Sequence, residues 1–157
     1  MTPEKVLSFW LDETDPKQWY NSPKSLDNAI LQEFYPTWVS IMDGKFGMWL
    51  TYPSGSLAYI LVLDQFTRNM FRGTSKAFSS DLVALAAAKQ AIKHKFDLAI
   101  DEPGRQFFYL PLMHLDEKRN LLVYLLLKVS IYRLESLQLA LWRRFPLHFR
   151  HEILDHS

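Results

Sequence analysis

The segment LAYILVL, residues 57–63, is apolar over about two turns of any α-helix that it forms. A helix that is hydrophobic on every side is buried at the centre of a domain rather than lying on its surface. Polar side chains follow directly in LDQFTRNMFRG, residues 63–73: they are Asp64, Gln65, Arg68, Asn69 and Arg72. The sequence therefore predicts a central helix whose second half carries a stripe of polar residues.

This polar stripe continues a buried face of the predicted helix. At about 100° per residue its five side chains fall within one arc of about 140°, which Leu57 and Leu61 share one or two turns earlier. Asp64 and Arg68 have the spacing at which a carboxylate and a guanidinium form an ion pair. Because burial of unpaired charges costs several kcal/mol, we expect further partners. The candidates are Asp81, Arg105, His114 and Asp116.

Proline, glycine and serine residues divide the first part of the chain into helices. Pro3 fits the first turn of a short helix that continues to Trp10. Ser25 is expected to cap a second helix, which Pro36 kinks or splits. Gly44 is expected to end that helix in a left-handed conformation.

The same signals continue through the central helix and beyond it. Ser54 or Ser56 is the expected cap of the central helix, and Gly73 is expected to close it. A further helix runs from about residue 75 or 80 to residue 96, and DEPGRQFFYLP, residues 101–111, predicts a short one.

Two more helices are predicted within residues 116–145, which brings the total to about seven. Strand alternation is scarce and no linker interrupts the helices, so we expect an all-α fold that forms a single domain over residues 1–157. Helices of this length favour stacked antiparallel pairs, in the manner of a tetratricopeptide-like α-hairpin array. The repeat consensus itself is absent, so this prediction depends on layout alone.

Composition and charge exclude several classes of protein. A formal net charge of +1 provides no electrostatic basis for binding nucleic acid or acidic membranes. The absence of cysteine excludes disulfides and thiolate chemistry, and it fits a cytoplasmic protein. The most apolar stretch, residues 121–142, contains Lys128, Arg133 and Glu135, so we interpret it as a buried helix rather than a membrane span. We expect a soluble protein.

Three segments together resemble a known family: FW at residues 9–10, LDQFTRNMFRGTSKAFSSD at residues 63–81 and YLPLMH at residues 109–114. In their residues and in their order along the chain they are similar to the bacterial family catalogued as domain of unknown function 924. The resemblance is strongest over residues 3–114, whereas residues 115–157 diverge from the usual C-terminal pattern of that family. It implies an all-helical fold of the tetratricopeptide-like superfamily and no established activity.

The resemblance also extends to the candidate site residues. At matching positions the family pattern includes Asp64, Gln65, Arg68, Asn69, Arg72, Asp81 and His114. Thr67 stands where the family usually has proline, and Leu115 and Asp116 replace a Ser-Glu pair that follows the histidine. Any role of that serine hydroxyl is therefore lost in this chain.

Three functions remain open for the polar residues. In the first, Arg68, Arg72 and His114 belong to a binding module that holds a small anionic ligand or a peptide carboxylate. In the second, the chain is an enzyme that uses His114 as an acid or base on an anionic small molecule. In the third, the polar network only fixes the packing of the helices.

The histidines predict no cofactor and no metal site. His114 and Asp116 have the spacing of a base with its orienting carboxylate or of two metal ligands, but two ligands are too few to predict a metal site. His148, His151 and His156 lie near the chain end, where a surface tail is expected.

If the divergent C-terminal part leaves apolar surface uncovered, we expect the protein to self-associate as a homodimer, which light scattering tests.

Overall fold

The central helix is the element around which the others pack. The computed structural model describes residues 1–114, within which every regular element is helical. The central helix runs without interruption through three segments: α-helix Pro53–Leu61, a π-helix at Val62–Phe66 and α-helix Thr67–Met70. Every residue from position 55 to position 67 is buried, which confirms the predicted central position.

Residues 1–114 contain six α-helices, numbered here in chain order: α1 (Pro3–Leu7), α2 (Lys24–Met42), α3 (Pro53–Leu61), α4 (Thr67–Met70), α5 (Asp81–Lys93) and α6 (Leu110–Met113). A second π-helix, Ser8–Glu13, extends α1. Helices α1 and α5 pack against α3, while α2 packs against α4 and the π-helix before it. The core is therefore built on both halves of the central helix.

Aromatic rings join these helices in the interior. Phe66 lies at the end of the central π-helix, and its ring centroid is 4.7 Å from that of Phe34 on α2 and 5.3 Å from that of Trp10. All three side chains are fully buried. The ring of Phe66 contacts that of Trp10 edge to face and that of Phe34 at a tilt of 46°. Rings of this size bury a large apolar area, so they stabilise the centre of the domain.

The predicted helix ends are partly correct. Gly44 and Gly73 have φ angles of 81° and 79°, the left-handed conformation that glycine adopts without strain. Of the two expected effects of Pro36, a kink or a split, the split is wrong, because α2 is continuous through it. Pro36 and Gln32, whose carbonyl loses its helical partner, are both exposed, so water can hydrate that carbonyl.

The predicted serine caps are wrong. The cap residue of α2 is Pro23 and that of α3 is Tyr52, and neither makes a capping hydrogen bond through its side chain. Helix α2 begins one residue before Ser25, and α3 begins one residue before Ser54. In α3, Pro53 takes the first position, where its missing N–H has no cost. Ser56 instead donates its hydroxyl to the carbonyl of Trp49, at 3.4 Å.

Short 3₁₀-helices connect the longer elements: they are Pro16–Gln18, Gly47–Thr51, Ser75–Phe78, Asp97–Ala99 and Gly104–Phe108. The helix predicted within residues 101–111 is thus a 3₁₀-helix followed by α6, and Pro111 lies inside α6 rather than ending the segment. The two helices predicted within residues 116–145 lie outside the described residues. The α-hairpin array and the single domain over residues 1–157 stay predictions. Over residues 1–114, none of the helices has the length and apolar character to cross a membrane.

Candidate functional site

The candidate site begins at the π-helix in the middle of the central helix. This turn carries Asp64, and two of its backbone carbonyls accept hydrogen bonds from hydroxyl groups. Thr67 donates to the carbonyl of Val62 at 3.0 Å, and Ser80 donates to that of Leu63 at 2.6 Å. Both hydroxyl residues are fully buried. Single π-turns within α-helices are frequent at functional sites, since they redirect side chains that a regular helix would align.

Asp64 is the most deeply buried charged residue of the site, with 1% of its side chain exposed. Its Oδ2 atom accepts a hydrogen bond of 2.6 Å from the amide of Gln65. Its Oδ1 atom lies 2.9 Å from Nδ1 of His114 and 3.5 Å from Nη2 of Arg68. We call these four residues together with Asp81 the Asp64 cluster. The predicted pair of Asp64 and Arg68 is therefore present, although it is the longest of these contacts.

Arg68 joins the start of α5 to the central helix. Its Nη2 atom donates to the two carboxylate oxygens of Asp81, at 3.2 and 3.3 Å. Its Nη1 atom donates to the carbonyl of Ala77 at 3.3 Å, and its guanidinium lies 5.0 Å from the centre of the Phe78 ring. A planar guanidinium held on several sides in this way has little freedom to reorient.

The ring of His114 has two competing neighbours at one nitrogen. Its Nδ1 atom lies 2.7 Å from Nη2 of Arg68 and 2.9 Å from Oδ1 of Asp64. Because the guanidinium only donates and the carboxylate only accepts, Nδ1 can bond to one of them in each protonation state. The Nε2 atom has no hydrogen-bond partner among residues 1–114, and 30% of the side chain is exposed. His114 thus combines a fixed Nδ1 with an uncommitted Nε2.

The Asp64 cluster has an excess of negative charge. Two carboxylates face one guanidinium, so the cluster carries a net charge of −1 when His114 is neutral and none when it is protonated. Burial raises the pKa of the Asp81 carboxyl above its ordinary value, and the nearby Asp64 charge adds to this, against the opposing effect of Arg68 and His114. The cluster is therefore better suited to take up a proton than to attract an anion.

A second group of polar side chains surrounds Asp27, which lies in the first turn of α2. Arg72 holds its carboxylate in a fork, with Nε 2.7 Å from Oδ2 and Nη2 3.1 Å from Oδ1. Asn69 donates to the same Oδ1 at 2.8 Å and to the hydroxyl of Ser22 at 2.8 Å, and Nη2 of Arg72 also contacts that hydroxyl. We call these four residues the Asp27 cluster.

The Asp27 cluster favours the charged form of its carboxyl. Partial burial raises the pKa of Asp27, but hydrogen bonds from Arg72, Ser22 and Asn69 outweigh that effect. Together with the charge of Arg72, they lower the pKa below its ordinary value. The pKa of Arg72 is correspondingly raised by its hydrogen bond to Asp27. The pKa values of Asp81 and Asp27 are therefore shifted in opposite directions.

The structure divides the predicted stripe between these two clusters. Five of the predicted site residues meet in the Asp64 cluster, whereas Asn69 and Arg72 belong to the Asp27 cluster. Arg105 belongs to neither, because its Nε donates to the carbonyl of Ile100 at 2.9 Å. Asp116 lies outside the described residues. The predicted pair of His114 and Asp116 is therefore untested, and the carboxylate that contacts His114 in the described structure is that of Asp64.

Sequence reasoning missed Ser22 and Asp27. One signal was available: the residue four positions before Arg72 is Arg68, another cation, so the partner of Arg72 had to come from a different helix. Asp27 lies in the first turn of α2, where a carboxylate is favoured by the helix dipole. Nothing in the sequence distinguished it from other surface carboxylates.

A surface pocket of about 330 Å³ lies beside both arginines. It is lined by Arg68, Arg72, Gly73, Thr74, Ala77 and Phe78. Within the described part of the chain, Nη1 of Arg72 and the backbone N–H of Gly73 make no hydrogen bond. The ring of Phe78 is 62% exposed. The pocket thus combines hydrogen-bond donors with apolar surface. No set of three or more potential ligand residues able to hold a metal ion occurs in residues 1–114.

The fold and the two clusters define an all-helical domain in which arginine and histidine side chains contact a buried carboxylate. The chain belongs to the family described as bacterial protein of unknown function (DUF924), whose sequence profile matches residues 6–131. This confirms the resemblance seen in the sequence. No curated protein matches the chain.

A solved structure supports the same assignment. The chain is similar to the protein of unknown function ATU0120 from Agrobacterium tumefaciens, at 32% sequence identity and a TM-score of 0.72. The match covers 75% of this chain and 66% of that one, slightly less than two thirds of its length. The comparisons therefore establish the family and the helical fold, and they indicate no specific function.

Proposed function

We propose that the protein is a helical binding module that holds a small anionic ligand in the pocket between Arg68 and Arg72. The observation that carries this proposal is the pocket itself, which is lined by a guanidinium whose Nη1 makes no hydrogen bond among residues 1–114. The backbone N–H of Gly73 adds a second donor. Paired donors of this kind suit a carboxylate or phosphate.

The charge balance makes Arg72 the main contact of the ligand. Among the described residues Arg72 faces a single carboxylate, that of Asp27, and 55% of its side chain is exposed. Arg68 faces both Asp64 and Asp81, so an anion next to it meets an excess of negative charge. The carboxylates also fix the guanidinium groups before a ligand arrives, which reduces the entropy that binding costs. Arg68 then shapes the pocket rather than attracting the anion.

The apolar wall narrows the class of ligand. Ala77 and the exposed ring of Phe78 line the pocket together with its donors, so they suit a ligand with an apolar part next to its charge. Aromatic rings pack well against such a wall. We infer a carboxylated or phosphorylated metabolite with an apolar portion, or the carboxylate at the end of a peptide. The lack of cysteine supports a cytoplasmic location for this role.

Calorimetric titration with simple probes tests the proposal. Benzoate, acetate and inorganic phosphate are compared at equal ionic strength on the wild type and on Arg72→Met. We expect benzoate to bind more tightly than acetate, and Arg72→Met to lose at least about tenfold in affinity, or about 1.4 kcal/mol. Lys89→Met is the matched control, since Lys89 is an exposed cation on α5 that does not line the pocket. Equal affinities in the wild type and in Arg72→Met would refute the proposal.

The contact between Asp64 and His114 favours a second function, that of an enzyme acting on an anionic small molecule. A carboxylate at Nδ1 orients an imidazole and leaves Nε2 to accept a proton from a substrate and return it. The test is His114→Gln, which removes the base but keeps a polar side chain. If a turnover is found, we expect this change to abolish it while ligand binding persists. A turnover that survives the change would exclude the role.

A further inference from the structure

The ammonium of Lys76 lies among three aromatic rings on another part of the surface. Its Nζ atom is 4.2 Å from the centre of the Phe71 ring, 5.0 Å from that of Trp38 and 5.4 Å from that of Tyr35. Tyr35 and Trp38 are neighbours on α2, and Phe71 follows the end of α4. We call the three rings the aromatic cage. All three distances lie within the range of about 6 Å at which a ring face attracts a cation.

The rings form walls on more than one side of the ammonium. Tyr35 and Trp38 are stacked, with 20° between their planes, and Phe71 stands at 79° to the first and 67° to the second. The indole nitrogen of Trp38 lies 3.4 Å from the hydroxyl oxygen of Ser80, a contact that helps to fix this wall. The cage is therefore defined by the packing of the helices and does not depend on its occupant for its position.

The side chain of Lys76 can leave the cage without disturbing its own backbone. Its carbonyl is held by the backbone N–H of Ser79 at 3.1 Å and by the Ser79 hydroxyl at 2.7 Å. The next residue, Ala77, is anchored through its N–H to the carbonyl of Thr74. No carboxylate pairs with the ammonium within the part of the chain that the structure describes. The rings are thus its main attachment.

We propose that the aromatic cage is a binding site for a small quaternary ammonium cation, and that the side chain of Lys76 is a built-in occupant which this cation displaces. A primary ammonium is compact and strongly hydrated, so it gains little from rings that offer no hydrogen-bond acceptor. A quaternary ammonium has no N–H to satisfy and presents methyl groups to all three ring faces. Because no carboxylate among the described residues pairs with the ammonium of Lys76, the cage favours a quaternary cation over the lysine.

The tethered lysine determines how tightly the native protein binds. A ligand competes for a cage that is open only part of the time, so its apparent dissociation constant equals the intrinsic value divided by the fraction of time that the cage is open. Removal of the lysine side chain takes this competition away. We expect Lys76→Ala to bind the cation about tenfold more tightly than the wild type does, which corresponds to a cage that is open about a tenth of the time.

Calorimetric titration with tetramethylammonium chloride tests this proposal, with sodium chloride and ammonium chloride at equal ionic strength as reference salts. We expect saturable binding of tetramethylammonium by the wild type, tighter binding by Lys76→Ala and at least tenfold weaker binding by Tyr35→Leu. Tyr52→Leu is the matched control, because Tyr52 is 37% exposed, as against 38% for Tyr35, and lies outside the cage. Phe71→Leu serves as a second variant of the cage.

Three results would overturn the proposal: no saturable binding by the wild type, equal binding of ammonium and tetramethylammonium, or an unchanged affinity in both Tyr35→Leu and Phe71→Leu. Binding by Lys76→Ala alone would also overturn it, because the lysine would then be a permanent occupant of the native cage. The variant Arg72→Met separates this site from the anion pocket. It should leave the titration with tetramethylammonium unchanged.

Discussion

The carboxylate of Asp64 lies 2.9 Å from the imidazole of His114, although fifty positions separate the two residues in the chain. This contact ties the π-helix at the centre of the domain to the residue that follows α6. Because only 1% of the Asp64 side chain is exposed, water contributes little to the stability of its charge. That charge depends on Gln65, Arg68 and His114, so these residues act as one unit.

The first prediction concerns Arg68→Met, which removes the only guanidinium that contacts Asp64 or Asp81 among the described residues. A buried carboxylate that loses its guanidinium loses a charged partner that offsets the cost of its desolvation. We expect the free energy of unfolding to fall by about 3–5 kcal/mol, measured by urea denaturation at neutral pH. A loss of this size is what the purely structural function of the network requires.

Two further variants separate charge from geometry at this position. Arg68→Lys keeps the charge but not the planar fork, so its loss of stability should be intermediate. Arg105→Met removes an arginine that contacts neither cluster, and it should have a much smaller effect. A loss for Arg68→Met that is no larger than that for Arg105→Met would show that the Asp64 cluster contributes little to folding.

The second prediction concerns the pH dependence of the pair formed by Asp27 and Arg72. The pKa of Asp27 is lowered in the folded protein from its ordinary value of 3.8, so this pair contributes stability above that pH. The contribution is lost as the pH falls through the lowered value. Since 55% of the Arg72 side chain is exposed, solvent screening limits the contribution to about 0.2–1 kcal/mol.

A double-mutant cycle of Arg72→Met and Asp27→Asn measures this contribution. The coupling energy between the two changes should be present at neutral pH and should disappear in strong acid. A coupling energy that stays constant as Asp27 becomes protonated would contradict the assignment. Urea denaturation of the four proteins at a series of pH values provides the data.

The central helix and the composition of its polar stripe could be predicted because both are local signals. A helix with seven consecutive apolar residues is favourable only when it is buried at the centre of a domain. The closeness of Asp64 and Arg68 follows from the helical repeat. The partners of Arg72 depend on how α2 packs against α4, and no pattern within a single segment encodes that packing. Ser22 and Asp27 were therefore beyond the reach of the sequence.

The π-helix also departs from the geometry that a helical wheel assumes. The helical wheel assumes a constant rotation of about 100° per residue, whereas a π-turn bonds each residue to the fifth one along and changes that rotation. Val62–Phe66 interrupts the regular repeat just where the polar residues begin. The hydroxyls of Thr67 and Ser80 bond to the carbonyls of this turn, and these contacts require the folded chain.

The third prediction concerns Asp81, whose pKa is raised from 3.8 chiefly by burial. A carboxyl with a raised pKa in the folded state contributes stability that is fully present below the unfolded value and is lost as the pH rises through the folded value. The sign is thus opposite to that for Asp27. We expect the wild type to gain stability relative to Asp81→Asn as the pH falls from neutral towards about 3.8.

Denaturation of the wild type and Asp81→Asn over this pH range checks the third prediction. Asparagine retains an oxygen that can accept from Arg68, so the comparison isolates the titration of the carboxyl. The same comparison with Asp27→Asn should show a trend of the opposite sign. If the stability difference between the wild type and Asp81→Asn is independent of pH, burial does not disfavour the charged form of Asp81.

The fourth prediction concerns Ser80, whose buried hydroxyl serves two elements that support the site. It donates to the carbonyl of Leu63 in the π-helix and lies 3.4 Å from the indole nitrogen of Trp38 on α2. Ser80→Ala leaves a buried carbonyl and a buried N–H without this partner, which costs about 1–3 kcal/mol. Ser79→Ala is the matched control, since Ser79 is exposed and, within residues 1–114, its hydroxyl bonds only to the nearby carbonyl of Lys76. We expect Ser79→Ala to change the free energy of unfolding by no more than about 0.5 kcal/mol. Equal losses for the two serine variants would mean that the hydroxyl of Ser80 does not stabilise the π-helix.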